Sequence, residues 1–251
     1  MSAPANECLA EVQTIPTALV ESSAELRLVD SVDGYDRYVV DKKQEFSRLA
    51  PLYETLARIA TFGIVKRMWR MVAAIASGAI NQHVLELCCG TGRVTEHLAR
   101  KFMRVTGVDL SPAMLQRAKR LVQEQRLGNV DLCEAEVSTL RFEPRTFDAL
   151  VISLGMHELP GQIRDVVLER AARWLRPGGK IVIFDYRWPV NRLMSAFFML
   201  GRLYFERNHF VDYLNYQKTL DVRLANHGFA PLEKRTLFFS CLEIGVWQKL
   251  A

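Results

Sequence analysis

The chain has 251 residues, 49% of them hydrophobic and 24% charged, with a mean hydropathy close to zero. That balance excludes a wholly disordered polymer and a multi-span membrane protein, and it suits one large α/β domain with an appendage. The net charge of +5 comes from 33 Lys and Arg scattered along the chain, which fits a solvated basic surface better than a nucleic-acid site.

Five cysteines, Cys8, Cys88, Cys89, Cys133 and Cys241, are odd in number and lack paired metal-ligand spacing, so reduced thiols in a cytoplasm are expected. The N-terminal text has no basic region followed by a sustained apolar core, and a secretory signal is not expected. Residues 1–40 are polar and weakly periodic and read as an extension. From Asp41 to Ser77 the pattern turns helical: Phe46, Leu49, Leu52, Tyr53, Leu56 and Ile59 fall mostly three or four apart, and Gly63 and Gly78 punctuate the run. The reading is a helical lid over 41–78 ahead of a main domain over 79–251.

Beyond Gly78, strand-like and helix-like words alternate. HVLELC (83–88) predicts a buried strand, GRVTEHLARKF a helix, RVTGVDL a strand, and SPAMLQRAKRLVQEQ a helix with Ser111 as N-cap and Pro112 in its first turn. VDLCEAE is a third strand, FDALVISL a fourth, IRDVVLERAARWL a helix closed by RPGG, and KIVIFDY a fifth strand. Such alternation implies parallel strands joined by right-handed crossovers, a Rossmann-like doubly wound α/β sheet.

After Pro189 the rhythm changes. An apolar helical stretch over 191–207, too short to span a bilayer, carries Phe197, Phe198, Met199, Leu203, Tyr204 and Phe205 beside Arg192, Arg202 and Arg207. With the helix expected over 46–60 it could roof an apolar cavity, rest on a membrane as a peripheral contact, or form a homodimer interface. A helix ending at Gly228 follows, then LEKRTLFFS and EIGVWQKL, which pair antiparallel with only Cys241 and Leu242 between them. The sum is a mostly parallel seven-stranded sheet with an antiparallel C-terminal hairpin.

In an open α/β sheet, ligands sit beyond the carboxyl ends of the strands at the switch point, so the loop CCGTGR after the first strand is where to look. Gly90 and Gly92 let backbone turn sharply and approach a ligand closely. A dinucleotide would want a third glycine where Thr95 stands. Glu86, four residues before Gly90, would repel a pyrophosphate yet pair with a ligand ammonium, so a cation-bearing nucleoside is expected. Asp109 closes the second strand, where a carboxylate can accept both ribose hydroxyls. Glu136 is placed at the close of the third strand, where it can accept from an adenine amino group beside the Val137 N–H.

Together these residues resemble the class I S-adenosylmethionine-dependent methyltransferases. LELCCGTG is similar to their first motif, VTGVDLSPAML to their second, EAEVSTLRF to their third, FDALVISLGMHEL to their fourth and LRPGGKIVIFDY to the strand-five motif. The resemblance implies an S-adenosyl-L-methionine site: Glu86 at the methionine amino group, Gly90, Thr91 and Gly92 along the methionine and ribose, and Asp109 with Leu110 and Met114 at the nucleoside. It implies also Glu136 with Val137 at the adenine and Ser153 at the methionine end. Glu136 stands where the family usually has the shorter Asp.

The flanks look like the ubiquinone/menaquinone-biosynthesis C-methyltransferases, through Phe46, Ala50, Tyr53, Phe62, Gly63, Trp69 and Arg70. LGMHEL stands where that group has Phe-Gly-Leu-Arg-Asn, and only Gly155 is kept. His157 and Glu158 take the changed positions, His157 as a base of near-neutral pKa and Glu158 as its tautomer partner or as the base itself. Tyr53 would orient substrate. The expected activity is methyl transfer to a hydrophobic small molecule, a quinone-like or aromatic ring foremost. A phospholipid or other amine, received by Tyr213 and Tyr216, is the alternative. A scaffold that binds S-adenosylmethionine without transfer is the rival from another class.

Overall fold

The computed structural model of the chain describes residues 35–78, 82–188 and 209–251. The apolar stretch expected over 191–207, and the extension before residue 35, lie outside the described residues.

Among the described residues three helices come first: α1 (Tyr35–Leu49), α2 (Tyr53–Ala60) and α3 (Val65–Ala76). Helix α1 starts inside the stretch read as an extension. The single helix expected over 46–60 is two helices, because Pro51 has no N–H to continue the ladder and the chain turns over Ala50 to Leu52. Then follow β1 (His83–Leu87), α4 (Arg93–Ala99), β2 (Arg104–Asp109), α5 (Pro112–Glu124), β3 (Val130–Glu134), β4 (Phe147–Ser153), a single 3₁₀ turn (Met156–Glu158), α6 (Gly161–Trp174) and β5 (Leu175–Tyr186). The chain closes with α7 (His209–Gln217), α8 (Leu220–Asn226), β6 (Phe229–Leu237) and β7 (Leu242–Lys249). Ser111 caps α5, its hydroxyl accepting from the Met114 N–H, with Pro112 at the first helical position.

The strands form one seven-stranded sheet in the order β3-β2-β1-β4-β5-β7-β6, parallel from β3 to β5 and antiparallel through β7 and β6. The chain winds outward from β1 to β3 and returns to lay β4 beside β1, so the crevice opens at the tips of those two strands. Two sequence boundaries shift. RPGG opens β5 rather than capping α6. The C-terminal hairpin turns over Phe238 to Cys241, with left-handed backbone at Phe238, Phe239 and Ser240, and pairs Leu237 with Leu242.

The sheet is apolar on both faces, the signature of parallel strands covered by helices on each side. Val84, Val151 and Val182 pack with α3 and α4, while their neighbours Leu85, Leu150 and Ile181 point the other way into a core shared with α1, α6, α7 and α8. Helix α1 therefore stands on the face that carries the 3₁₀ turn and is held over the strand tips.

Candidate active site

A cavity of about 740 Å³, counted to its open mouth, lies between α1, α2 and the tips of β1, β2 and β4. Gly90, Asp109, Leu110, Met114, Glu136, Val137 and Ser153 line one end; Tyr38, Lys42, Phe46, Glu158 and Leu159 line the other, with Tyr53 and Cys88 also on the wall.

The glycine turn works as the spacing predicts. Gly90 and Gly92 have φ of 55° and 78°. A Cβ on Gly90 would meet no atom within 4 Å, which leaves open space over the loop for a ligand, whereas one on Gly92 would lie 3.0 Å from the Ala118 Cβ. The Asp109 carboxylate accepts from the Gly90 N–H at 2.7 Å and the Ser111 N–H at 2.9 Å, so the acid at the tip of β2 fixes the turn after β1. Burial pushes the Asp109 pKa up while these amides pull it down.

Glu136 is not on β3, which ends at Glu134; it sits in the turn beyond, held by the Ser138 N–H at 2.8 Å and by the Ser138 hydroxyl. The extra methylene of Glu over Asp lets its carboxylate reach the cavity wall from there. Tyr35 of α1 donates to it at 2.5 Å. Glu86 on β1 and Thr91 and Gly92 of the loop do not line the cavity. The Glu86 carboxylate, 1% exposed, accepts from the Thr95 hydroxyl at 2.5 Å; burial raises its pKa to about 8, against the Thr95 bond and with help from Asp109. Thr95, which stands where a third glycine would, is therefore the partner of the first acid.

At the other end an ionic chain runs through the 3₁₀ turn. Asp185, 1% exposed at the end of β5, accepts from the His157 Nδ1 at 2.7 Å and the His157 N–H at 3.1 Å. The His157 Nε2 is 3.1 Å from Glu158 Oε1, and Glu158 Oε2 is 2.5 Å from Lys42 Nζ on α1. Burial alone would lower the His157 pKa, but Asp185 and then Glu158 outweigh it and push it up to about 10. Burial would raise Glu158, but His157 and Lys42 hold it down to about 2. This setting does not suit the near-neutral base expected at His157: both ring nitrogens face carboxylates, which favour the charged form, Tyr186 braces the ring edge-on, and the ring does not line the cavity. Glu158 does. Tyr53 lines the cavity too, and its pKa is raised by burial and by Asp109, Glu158 and Asp185.

Tyr213 and Tyr216 are buried away from the cavity, each ring 5.2 Å from the Arg164 guanidinium, with Arg223 also over Tyr216. Their cation is internal, so they are not an amine-receiving pair. Three residues escaped sequence reasoning. Asp185 was signalled by an acid closing an otherwise apolar strand. Lys42 had no local signal. Cys88 follows β1 with φ of 57°, where a side chain is strained; a Cβ on Gly155 would fall 2.6 Å from the Cys88 Cβ, so the two positions fit only as a large and a bare residue.

A doubly wound sheet with this glycine turn, Asp109 at the tip of β2 and a second acid after β3 defines a candidate nucleoside site. The family model described as a methyltransferase domain matches residues 84–179. The ubiquinone/menaquinone biosynthesis C-methyltransferase UbiE of Syntrophotalea carbinolica is 34% identical over 166 residues, covering 63% of this chain and 66% of its own length. The 2-phytyl-1,4-naphtoquinone methyltransferase of a Nostoc species is 33% identical over 157 residues, covering 61% of this chain and 67% of its own length. Among solved structures, a SAM-dependent methyltransferase from Aquifex aeolicus superposes with a TM-score of 0.54 at 18% identity, over 72% of this chain and 89% of that one, a likeness of fold. The matched segment spans about two thirds of the curated relatives' length. The chain belongs to the class I S-adenosylmethionine-dependent methyltransferases, in the ubiquinone/menaquinone-biosynthesis C-methyltransferase group. The residues fit that methyl donor: the open space over Gly90, the Asp109 and Glu136 carboxylates and the apolar Leu110, Met114 and Val137 share one cavity wall.

Proposed function

We propose that the chain methylates a ring carbon of a hydroxylated, quinol-type aromatic carrying an apolar tail. The observation that carries this reading is the acceptor end of the cavity: an apolar wall of Tyr38, Val39, Phe46 and Leu159 interrupted by one polar spot, the Lys42–Glu158 pair. Such a slot suits a flat ring with one hydroxyl to anchor. The names of the relatives, which methylate quinone-type rings, favour the same class.

In this reading Asp109 holds the ribose, Glu136 and Val137 the adenine, and Gly90 and Ser153 the methionine end, with Glu86 reached when the amino group draws it into its charged form. The donor supplies an electrophilic methyl group on a positive sulfur. The protein aligns the ring for in-line displacement and makes the ring carbon electron-rich. Glu158, facing the cavity, is the base; His157 and Asp185 position it.

A peripheral membrane contact goes with a lipid acceptor. Leu52, Leu56, Ile59, Phe62 and Ile64 are exposed along α2 and the turns on either side of it, with Arg58 on α2 and Lys66 and Arg67 at the start of α3. Apolar side chains among cations suit an anionic bilayer surface. No helix among the described residues is long and apolar enough to cross a membrane. The four described cysteines, all free, are in keeping with a cytoplasmic setting. Mass spectrometry of lipid extracts incubated with the protein and deuterated-methyl donor tests the reading. A label on a prenylated or phytylated ring is expected; a label confined to phospholipid amines overturns it.

A further inference from the structure

Lys42 has a part-buried ammonium in the wall of the reaction cavity. Its side chain is 12% exposed, and its Nζ lies 2.5 Å from Glu158 Oε2, 3.0 Å from Glu45 Oε2 and 5.6 Å from the centre of the Phe46 ring. Burying an ammonium costs several kcal/mol unless it is paired. Fastening α1 does not require it, because Tyr35 and Tyr38 already tie that helix to Glu136 and to the Glu158 carbonyl, and Lys43 pairs with Glu134. Neutralising Glu158 does not require it either, since the other carboxylate oxygen already faces the charged His157.

Charge bookkeeping suggests what the extra cation is for. Lys42 and His157 against Glu158 and Asp185 sum to zero, with Glu45 half-exposed at the rim. A phenolate generated in this pocket would be an unpaired buried anion unless a cation were released to meet it.

Resting on the proposed quinol reading, we propose that Lys42 is a catalytic residue: its ammonium passes from Glu158 to the acceptor's oxygen as the acceptor's hydroxyl proton passes to Glu158. The acceptor O–H bond breaks, an O–H bond forms on Glu158 Oε2, and the electron pair left on oxygen conjugates into the ring and raises the nucleophilicity of the neighbouring carbon. At every stage Lys42 faces one anion, first the carboxylate and then the phenolate. After methylation the proton displaced from the ring carbon restores the hydroxyl, and Glu158 gives its proton to solvent, one proton per turnover. The exchange also makes Glu158 a better base when it is needed, because the lysine's departure removes one of the two cations that hold its proton affinity down and leaves only His157 against the effect of burial. Since Lys42 rides on α1, the pair is assembled only with that helix in place.

The experiment uses the full chain saturated with S-adenosylhomocysteine and 1-naphthol as a probe, whose absorbance reports ionisation. The charged groups around this part of the cavity are Lys42 and Glu45 from α1, Glu54 from α2, Asp109 from β2, Glu158 and His157 from the 3₁₀ turn, Arg164 from α6 and Asp185 from β5, with the Tyr38 and Tyr53 phenols neutral. Bound naphthol is expected to ionise at least about one pH unit below free naphthol in the wild type, as an adjacent cation requires. In Lys42→Gln, which keeps a hydrogen bond to Glu158 without the charge, it is expected to ionise at or above the free value. Lys42→Arg retains most of the shift, and Lys43→Gln leaves it unchanged. In turnover, Lys42→Gln loses about a hundredfold in kcat with donor affinity within about twofold. Naphthol that binds saturably and titrates alike in wild type and Lys42→Gln overturns the role of Lys42. Absence of saturable naphthol binding to the wild type overturns the quinol reading itself, and this inference with it.

Discussion

The two ends of the cavity are built in different ways. The nucleoside end is made of strand tips and the turns that leave them, so each residue stands where the sheet puts it: Gly90 and Asp109 are joined by a 2.7 Å hydrogen bond that links neighbouring parallel strands. The proposed acceptor end is made of a 3₁₀ turn and a covering helix, and its charged groups are brought together only by contacts between distant parts of the chain, Lys42 to Glu158 and His157 to Asp185. The first end is a property of the scaffold. The second is a property of the closed assembly, and the two should fail differently when damaged.

Glu158→Gln is the most severe test. Losing the proposed base should lower kcat about a thousandfold while calorimetric binding of S-adenosylhomocysteine stays within about threefold. Equal loss of binding and turnover would merge the two ends into one. Asp109→Ala should weaken S-adenosylhomocysteine binding about a hundredfold, since it removes charge-assisted hydrogen bonds and loosens the glycine turn. Acceptor-end variants that weakened it as much would break the contrast.

His157→Ala should cost about 3 kcal/mol of folding stability, because Asp185 is left as a buried charge without its partner. The sign with pH is fixed by a folded pKa of about 10 against an ordinary value of 6.5. The imidazolium's contribution is complete below about pH 6.5 and is lost as pH rises through 10, so in denaturant titrations wild type and variant should converge with rising pH. A constant gap would mean the ring is neutral. The smallest effect belongs to Glu86. With a pKa of about 8 it is protonated at pH 7, and pairing with the donor's ammonium should release just under one proton. Calorimetry of S-adenosylhomocysteine binding in buffers of different ionisation heat measures that number; zero would show that Glu86 keeps its bond to Thr95 throughout.

Legibility in the sequence followed the same divide. Period-two and period-3.6 patterning, Ser111 and Pro112 at a helix start, and glycines in a turn are local signals, so the doubly wound sheet, Gly90 and Asp109 could be read directly. Glu136 reads as the close of the third strand but lies in the turn beyond it, because the end of β3 carries no turn residue to mark it. His157 was noticed for its type, yet its charge depends on Asp185, twenty-eight positions away, and no spacing rule connects them. Tyr213 and Tyr216 looked available for a ligand cation until Arg164 was found against both rings. Lys42 could not be singled out among so many basic residues, since only the fold brings it to Glu158.

Helix α1 touches both compartments at once, through Tyr35 on Glu136 and Lys42 on Glu158. A helix of this length is stiff, so what releases one grip strains the other.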